Sequence, residues 1–246
     1  AGLLSLVSFE MILPTEYDII HSFECQTGIC CAFRNDSLFF FDETGKRKPF
    51  AYALNGTDPV NFYGFDQYCL SIVPITNKNA TYLALIDTNG NIITKEPYNN
   101  IETHPYFFDE SGIYLGYYSV ETTDGLWGVI DTNGVNVVKP EFIFVDLIEQ
   151  FGFFVATDSS QYLLGFDGKP KTLQVYDEVG EVFYHPYFAV WINGNQGIVD
   201  VYGHVIIRPR WDDVQIINAE AGLFCATKNN YKVLLDKNDN FVDTPE

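Results

Sequence analysis

Two near-identical tetrapeptides, His104-Pro105-Tyr106-Phe107 and His185-Pro186-Tyr187-Phe188, are the first residues that could do chemistry. If both faced one surface, their imidazoles would bind a ligand or a metal. Two histidines fall short of the three or four ligands a zinc site needs, and the same tetrapeptide also reads as one structural corner used twice. His21 and His204 have no recognisable partner. Trp191, Trp211 and the stretch Tyr114–Tyr118 offer rings that stack on a sugar or anchor a core. With Tyr106 and Tyr187, the histidines and these two tryptophans form the candidate binding set.

No other chemistry is spelled out. No Gly-x-Ser-x-Gly sequence occurs, so a nucleophile elbow is not expected. A glycosidase needs two carboxylates at a set separation, and 33 acids offer many pairs without selecting one. The segment 236–240 resembles a calcium loop but lacks the Gly and the closing Glu. No phosphate-cradling Gly-rich loop is present. The chain reads as non-catalytic, with no cofactor and no metal.

The five cysteines are Cys25, Cys30, Cys31, Cys69 and Cys225. Adjacent Cys30 and Cys31 point to opposite faces if they lie in a strand, which makes them poor joint ligands. The cysteines are expected as reduced, partly buried thiols, a mild argument for a reducing compartment, with a bridge or two as the alternative.

Charge narrows the partner. With 14 bases against 33 acids the chain carries −19. A nucleic-acid binder shows the reverse balance, because phosphate neutralisation supplies its affinity, and anionic membrane surfaces are disfavoured in the same way. A basic protein partner is attracted. Acidity that merely keeps the surface soluble is the plainer alternative. No stretch approaches 18 apolar residues, so no membrane span is expected. The start, with no initiator Met and no basic segment, suggests a chain that begins after a removed segment or tag.

The elements that would position these residues repeat. An apolar strand ending in Asp, a short turn and a second strand recur at Asp42…Gly45, Asp87…Gly90, Trp127-Gly128…Asp131…Gly134, Asp167-Gly168, Gly197…Asp200…Gly203 and Asp236…Asp239. Asp opens such a turn by accepting downstream N–H groups, and Gly closes it at positive φ. The six Asp residues are spaced 45, 44, 36, 33 and 36 apart. After each turn comes Pro, an aromatic, an acid or amide and an aliphatic residue. The strong copies are Lys139-Pro140-Glu-Phe142 and Arg208-Pro209-Arg-Trp211-Asp212, and the weak one is Lys48-Pro49-Phe50. Pro is expected to stop the strand. An aromatic-rich strand follows.

The expected fold is therefore all-β, a tandem repeat of six units of about three antiparallel strands, in one domain over 1–246. The repeats start near 14, 49, 97, 140, 175 and 209. Aromatics at 16%, abundant turn residues and the lack of a long helical period support strands over helices. A β-propeller-like ring is favoured, with an open solenoid or hairpin array as the alternative. The strands at 4–7 and 9–13 are expected to pair with the last repeat and close the ring.

The third copy, Trp127-Gly128-Val-Ile-Asp131-Thr-Asn-Gly134 through Pro140-Glu-Phe142, resembles the bacterial WG-repeat family, and the fifth copy is similar. The resemblance runs from about residue 9 to 243, but most copies lack the Trp-Gly pair: Leu38-Phe39, Leu83-Ala84 and Lys232-Val233 stand there. It implies a bacterial repeat protein, cytoplasmic or exported, and no particular activity. Acidity, repeats and missing catalytic motifs together suggest a protein-interaction module. A sharper form is an immunity-type protein that neutralises a basic toxin. Glycan or small-ligand binding is the alternative, and a carboxylate enzyme is the remote one.

Overall fold

The computed structural model describes residues 1–4, 11–21, 28–55, 65–77, 80–103, 116–148, 152–171, 175–180 and 186–242. All regular elements among them are strands, and every pairing is antiparallel. The chain forms two compact units: residues 1–107 with 114–140, and 108–113 with 141–246.

In the first unit, β1 (Leu3–Leu4) pairs with β2 (Met11–Leu13). Residues 5–10, which carry most of the N-terminal strands expected to pair with the last repeat, lie outside the described residues. The next sheet is a meander of β3 (Ile19–Ile20), β4 (Ile29–Arg34), β5 (Ser37–Asp42) and β6 (Arg47–Ala53). A six-stranded sheet follows, from β7 (Ser71–Thr76), β8 (Thr81–Ile86) and β9 (Tyr98–Thr103) to β10 (Tyr117–Thr122), β11 (Trp127–Asp131) and β12 (Asn136–Phe142). Its two halves meet at one residue pair, Leu83 with Tyr98. Cys30 and Cys31 alternate across β4 as expected. Cys31 enters a core with Phe33, Phe40 and Phe65, and Cys30 one with Leu13 and Phe41.

In the second unit the sheets are shorter and more uniform. They are β13 (Phe144–Ile148), β14 (Gly152–Ala156) and β15 (Gln161–Leu164); then β16 (Glu178–Val179), β17 (Tyr187–Ile192), β18 (Asn195–Asp200) and β19 (Val205–Trp211); then β20 (Asp213–Asn218), β21 (Leu223–Lys228) and β22 (Tyr231–Asp236). Small meanders of three or four strands are the kind of sheet a propeller blade uses.

The repeat's prolines do not stop their strands. Pro140 and Pro209 lie inside β12 and β19, the end strands of their sheets. An end strand has one side free of the ladder, so a residue without N–H costs nothing there. The chain then breaks for one residue, at Ile143 or Asp212, and starts the next sheet. The corner is thus a change of sheet within a nearly continuous strand, with Phe142 and Trp211 turned inward. Gly197 permits this. A Cβ there would lie 2.5 Å from Ile207 O and 2.6 Å from Pro209 N, and the β18–β19 register shifts at that point. Pro49 is out of step: it follows Asp42 by seven residues, whereas Pro140 and Pro209 follow Asp131 and Asp200 by nine.

Candidate functional site

The Asp turns are built alike. Asp131 N–H donates to Val135 O and Gly134 N–H to Asp131 O, at 3.0 and 2.9 Å. Asp131 Oδ1 accepts the N–H groups of Asn133 and Val135, both at 2.8 Å. Asp42, Asp87, Asp200 and Asp236 repeat the same pair of carboxylate bonds at 2.8–3.0 Å. One carboxylate oxygen is thereby spent on the backbone. Gly134, at φ 68°, sits so close to Ile93 that a Cβ would lie 2.5 Å from its carbonyl oxygen. Gly is required there for space as well as for φ.

These bonds hold Asp42, Asp87 and Asp236 below the usual carboxylate range. At Asp42 the Thr44 hydroxyl is the main cause. At Asp87 slight burial pushes upward, but the Asn91 and Asn89 donors outweigh it. At Asp236 the Asn240 N–H leads.

The fourth copy corrects the expected alignment. There Gly165 N–H donates to Lys169 O and Gly168 N–H to Gly165 O. Gly165, not Asp167, occupies the turn-opening position. Asp167 stands two residues later, bonding Lys169 N–H at 3.0 Å and pairing with its ammonium. With Gly165 in place, the last three spacings become 34, 35 and 36.

A seventh turn of the same design went unread in the sequence. Asp66 N–H donates to Leu70 O, Cys69 N–H to Asp66 O, and Asp66 Oδ1 accepts from Tyr68 and Leu70. Cys69 takes the Gly position at φ 60°. Asp66 Oδ2 also accepts the Tyr118 hydroxyl. Burial pushes the Asp66 carboxyl up, against the lowering by Tyr118 and the turn's N–H groups. Burial, with the Asp66 charge, pushes Tyr118 far above its ordinary value. The pair is a buried structural contact with no neighbouring ligand group among the described residues.

The corner Asp residues have their own task. Asp177 and Asp212 donate their N–H groups to Trp191 O and Thr227 O, and their carboxylates accept the N–H of Asn193 and Asn229. Those two Asn residues open two-residue hairpin turns with consecutive positive φ values, Asn193-Gly194 and Asn229-Asn230, as does Asn35-Asp36. Asn and Gly are the residues such turns demand.

Of the candidate binding set, His104, Tyr106 and His185 lie outside the described residues, as does Cys25. Tyr187 packs edge-on against Phe224 at 5.2 Å. Trp211 is 8% exposed, in a core with Ile207 and Phe224. Trp191 is half-buried, its ring 3.1–3.2 Å from where a Cβ of Gly180 would be. The described candidates are thus engaged in packing and are not gathered into one concavity. An apolar recess in the second unit, lined by residues such as Phe153, Leu164, Phe188 and Lys171, has a cavity volume of only about 10 Å³. Ligand pockets usually span roughly 300–1,000 Å³. Cys30 and Cys225 are free thiols, and burial pushes Cys30 up to about 11. Among the described residues no group of three or more His, Cys, Asp or Glu side chains is placed to hold a metal. No helix is long and apolar enough to cross a membrane.

What is left is charge. Among the described residues, Glu16, Asp167, Asp212 and Asp239 pair with Lys or Arg side chains, and Asp200 with the His204 imidazole. In the second unit two corners put Asp177 with Glu178, and Asp212 with Asp213, at matching repeat positions, where the first corner has Ile143 and Phe144. Asp239 is the exception to the acidic surface. It fills the Gly position of the last turn at φ 64°, with its side chain 6% exposed, and Arg210 holds both its oxygens at 2.9 Å.

No known family matches the sequence, and no curated protein is similar to it. Among solved structures, a crystal structure of the eukaryotic initiation factor is similar at 12% identity, covering 98% of this chain and 72% of that one, with a TM-score of 0.40. The AfRom2 CNH domain is similar at 8% identity, covering 96% and 84%, with a TM-score of 0.31. Likenesses this distant leave the all-β assignment resting on the strands and registers described above.

Proposed function

We propose that this chain is a non-catalytic interaction module whose acidic surface receives a basic protein partner. The observation that carries the reading is the uncompensated charge: −19 overall, with few carboxylates in contact with a cation among the described residues. The turn hydrogen bonds keep Asp42, Asp87 and Asp236 ionised, so the surface stays negative well below neutral pH. Such a field raises the association rate of a cationic partner and selects against anionic ones. In its sharper form the partner is a basic toxin and the module an immunity-type protein.

The test uses exposed acids without a turn duty. A partner recovered with the chain at low salt is identified, purified and titrated by calorimetry against the wild type and against Glu141→Gln/Glu178→Gln/Glu220→Gln. The expected partner is basic, and its Kd rises about tenfold or more in the triple variant and again with added salt. A partner whose affinity is indifferent to both changes would overturn the proposal.

A further inference from the structure

We propose that Asn193-Gly194 is a self-modifying site, the first of the Asn-Gly pairs among the described residues to deamidate, and that its modification loosens one repeat. The described residues hold three Asn-Gly pairs: Asn89-Gly90, Asn133-Gly134 and Asn193-Gly194. In each, the glycine amide nitrogen can attack the asparagine side-chain carbonyl carbon. A ring N–C bond forms, the bond to the side-chain NH2 breaks, and the amide proton leaves with it as ammonia. Water then opens the succinimide at either carbonyl, giving aspartate or isoaspartate. No oxidant, reductant or cofactor enters the balance.

The fold separates the three. In the Asp turns the attacking nitrogen is already committed: Gly90 N–H donates to Asp87 O and Gly134 N–H to Asp131 O, both at 2.9 Å. The asparagine side chains are tied as well: Asn133 Nδ2 donates to Asp131 Oδ2 at 3.4 Å, and the Asn89 side chain bonds the Asp87 carboxylate. Gly134 is buried against Ile93. Attack there requires the turn to open first, which puts the local opening free energy in front of the chemistry.

At Asn193-Gly194 these restraints are missing. Both residues are exposed at the tip of the β17–β18 hairpin, closed by the pair Ile192–Asn195. Nothing lies within 4 Å of the position a Gly194 Cβ would take. The Asn193 bonds run through its backbone, from its N–H to Asp177 and from Asn195 Nδ2 to its carbonyl at 3.3 Å, which leaves the side chain to react. The sister hairpin Asn229-Asn230 has the same backbone and the same Asp bond at 2.7 Å, but a side chain on the attacking residue crowds the approach.

The product matters to the repeat. Isoaspartate inserts a methylene into the backbone, and a two-residue turn cannot absorb it while keeping its register. The new carboxylate also belongs to the residue whose N–H the Asp177 carboxylate holds. The aged chain carries one more negative charge and a released corner.

Peptide mapping by mass spectrometry, on folded protein held in mildly alkaline buffer, reads the one-dalton gain at each asparagine, and isoaspartyl methylation confirms the product. Expected is modification at Asn193 about tenfold or more faster than at Asn89, Asn133 or Asn229, with the three Asn-Gly rates converging in urea. Asn193→Gln abolishes the fast phase and leaves the slow ones. Equal rates at Asn89, Asn133 and Asn193 in the folded chain would overturn the proposal, as would an Asn193 no faster than Asn229.

Discussion

In the second unit, Gln161 and Gln196 stand four residues before their turns, and each side-chain carbonyl accepts an N–H from the first strand of the next sheet, Val179 and Val214. In the first unit the same position is held by Leu38, Leu83 and Trp127. The second unit therefore links successive sheets through a polar side chain that reaches one backbone group. The first relies on an aromatic core, with Phe40 in contact with Phe50, Tyr52 and Phe65, and on the buried Asp66–Tyr118 pair. The link sits on the repeats spaced 35 and 36, the repeats spaced 45 and 44 carry Leu38 and Leu83, and the repeat spaced 34 carries Trp127.

The strongest test of this contrast exchanges backbone room. Gly197→Ala in the second unit and Gly128→Ala in the first put a Cβ within 2.5–2.6 Å of a carbonyl oxygen. At the homologous position of the second repeat stands Ala84, fully buried, where the following strand touches only through Leu83–Tyr98. Both glycine variants should lose about 3 kcal/mol, since overpacking against backbone has no soft way out. Ala84→Gly should cost only about 1 kcal/mol. Denaturant midpoints decide; a Gly197→Ala loss no larger than that of Ala84→Gly would break the contrast.

Next in size is the glutamine link. Gln196→Leu leaves the Val214 N–H without its acceptor and should destabilise the second unit by roughly 1–3 kcal/mol, the cost of an unsatisfied buried group. Hydrogen exchange should show Val214 losing protection while the Phe40 core of the first unit keeps its own. Protection unchanged at Val214 would sink the link as a stabilising contact.

The smallest expected effect is a pair of opposite pH slopes. Asp42, Asp87 and Asp236 have lowered folded values, so their stabilisation is present above the unfolded carboxylate value of about 3.9 and is lost as pH falls. Asp66 has a raised folded value, so its contribution is present below about 3.9 and is lost as pH rises through the folded value. Asp66→Asn should therefore steepen the loss of stability on acidification, and Asp236→Asn should flatten it. Thermal unfolding followed between acid and neutral pH gives both slopes, and matching signs would contradict the assignment.

Much of the scaffold was legible because its signals are local. Asp and Gly three residues apart satisfy a turn from within, so Asp131…Gly134 or Asp200…Gly203 announces itself without knowledge of the fold. The turns that escaped notice lacked the expected letter: Cys69 at the glycine position, Gly165 in place of Asp. Asn193-Gly194 and Asn229-Asn230 were readable as hairpins but were hidden by the stronger Asp pattern nearby. The candidate binding residues fared differently, because a Tyr or Trp in sequence carries no sign of which side it packs on. Tyr187 and Trp211 turned inward against Phe224 and its neighbours.

The sequence alone determined the strand content, the Asp turns, the alternation of Cys30 and Cys31 and the acidity, since each depends on a residue and its near neighbours. Tertiary structure decided what depends on a distant partner. It let Pro140 and Pro209 stay within end strands, gave Gln161 and Gln196 an N–H in the next sheet, and let Arg210 hold an aspartate where a glycine was expected. These contacts join residues 18 to 29 positions apart, or sit at sheet ends, and no local pattern encodes which backbone group will arrive there.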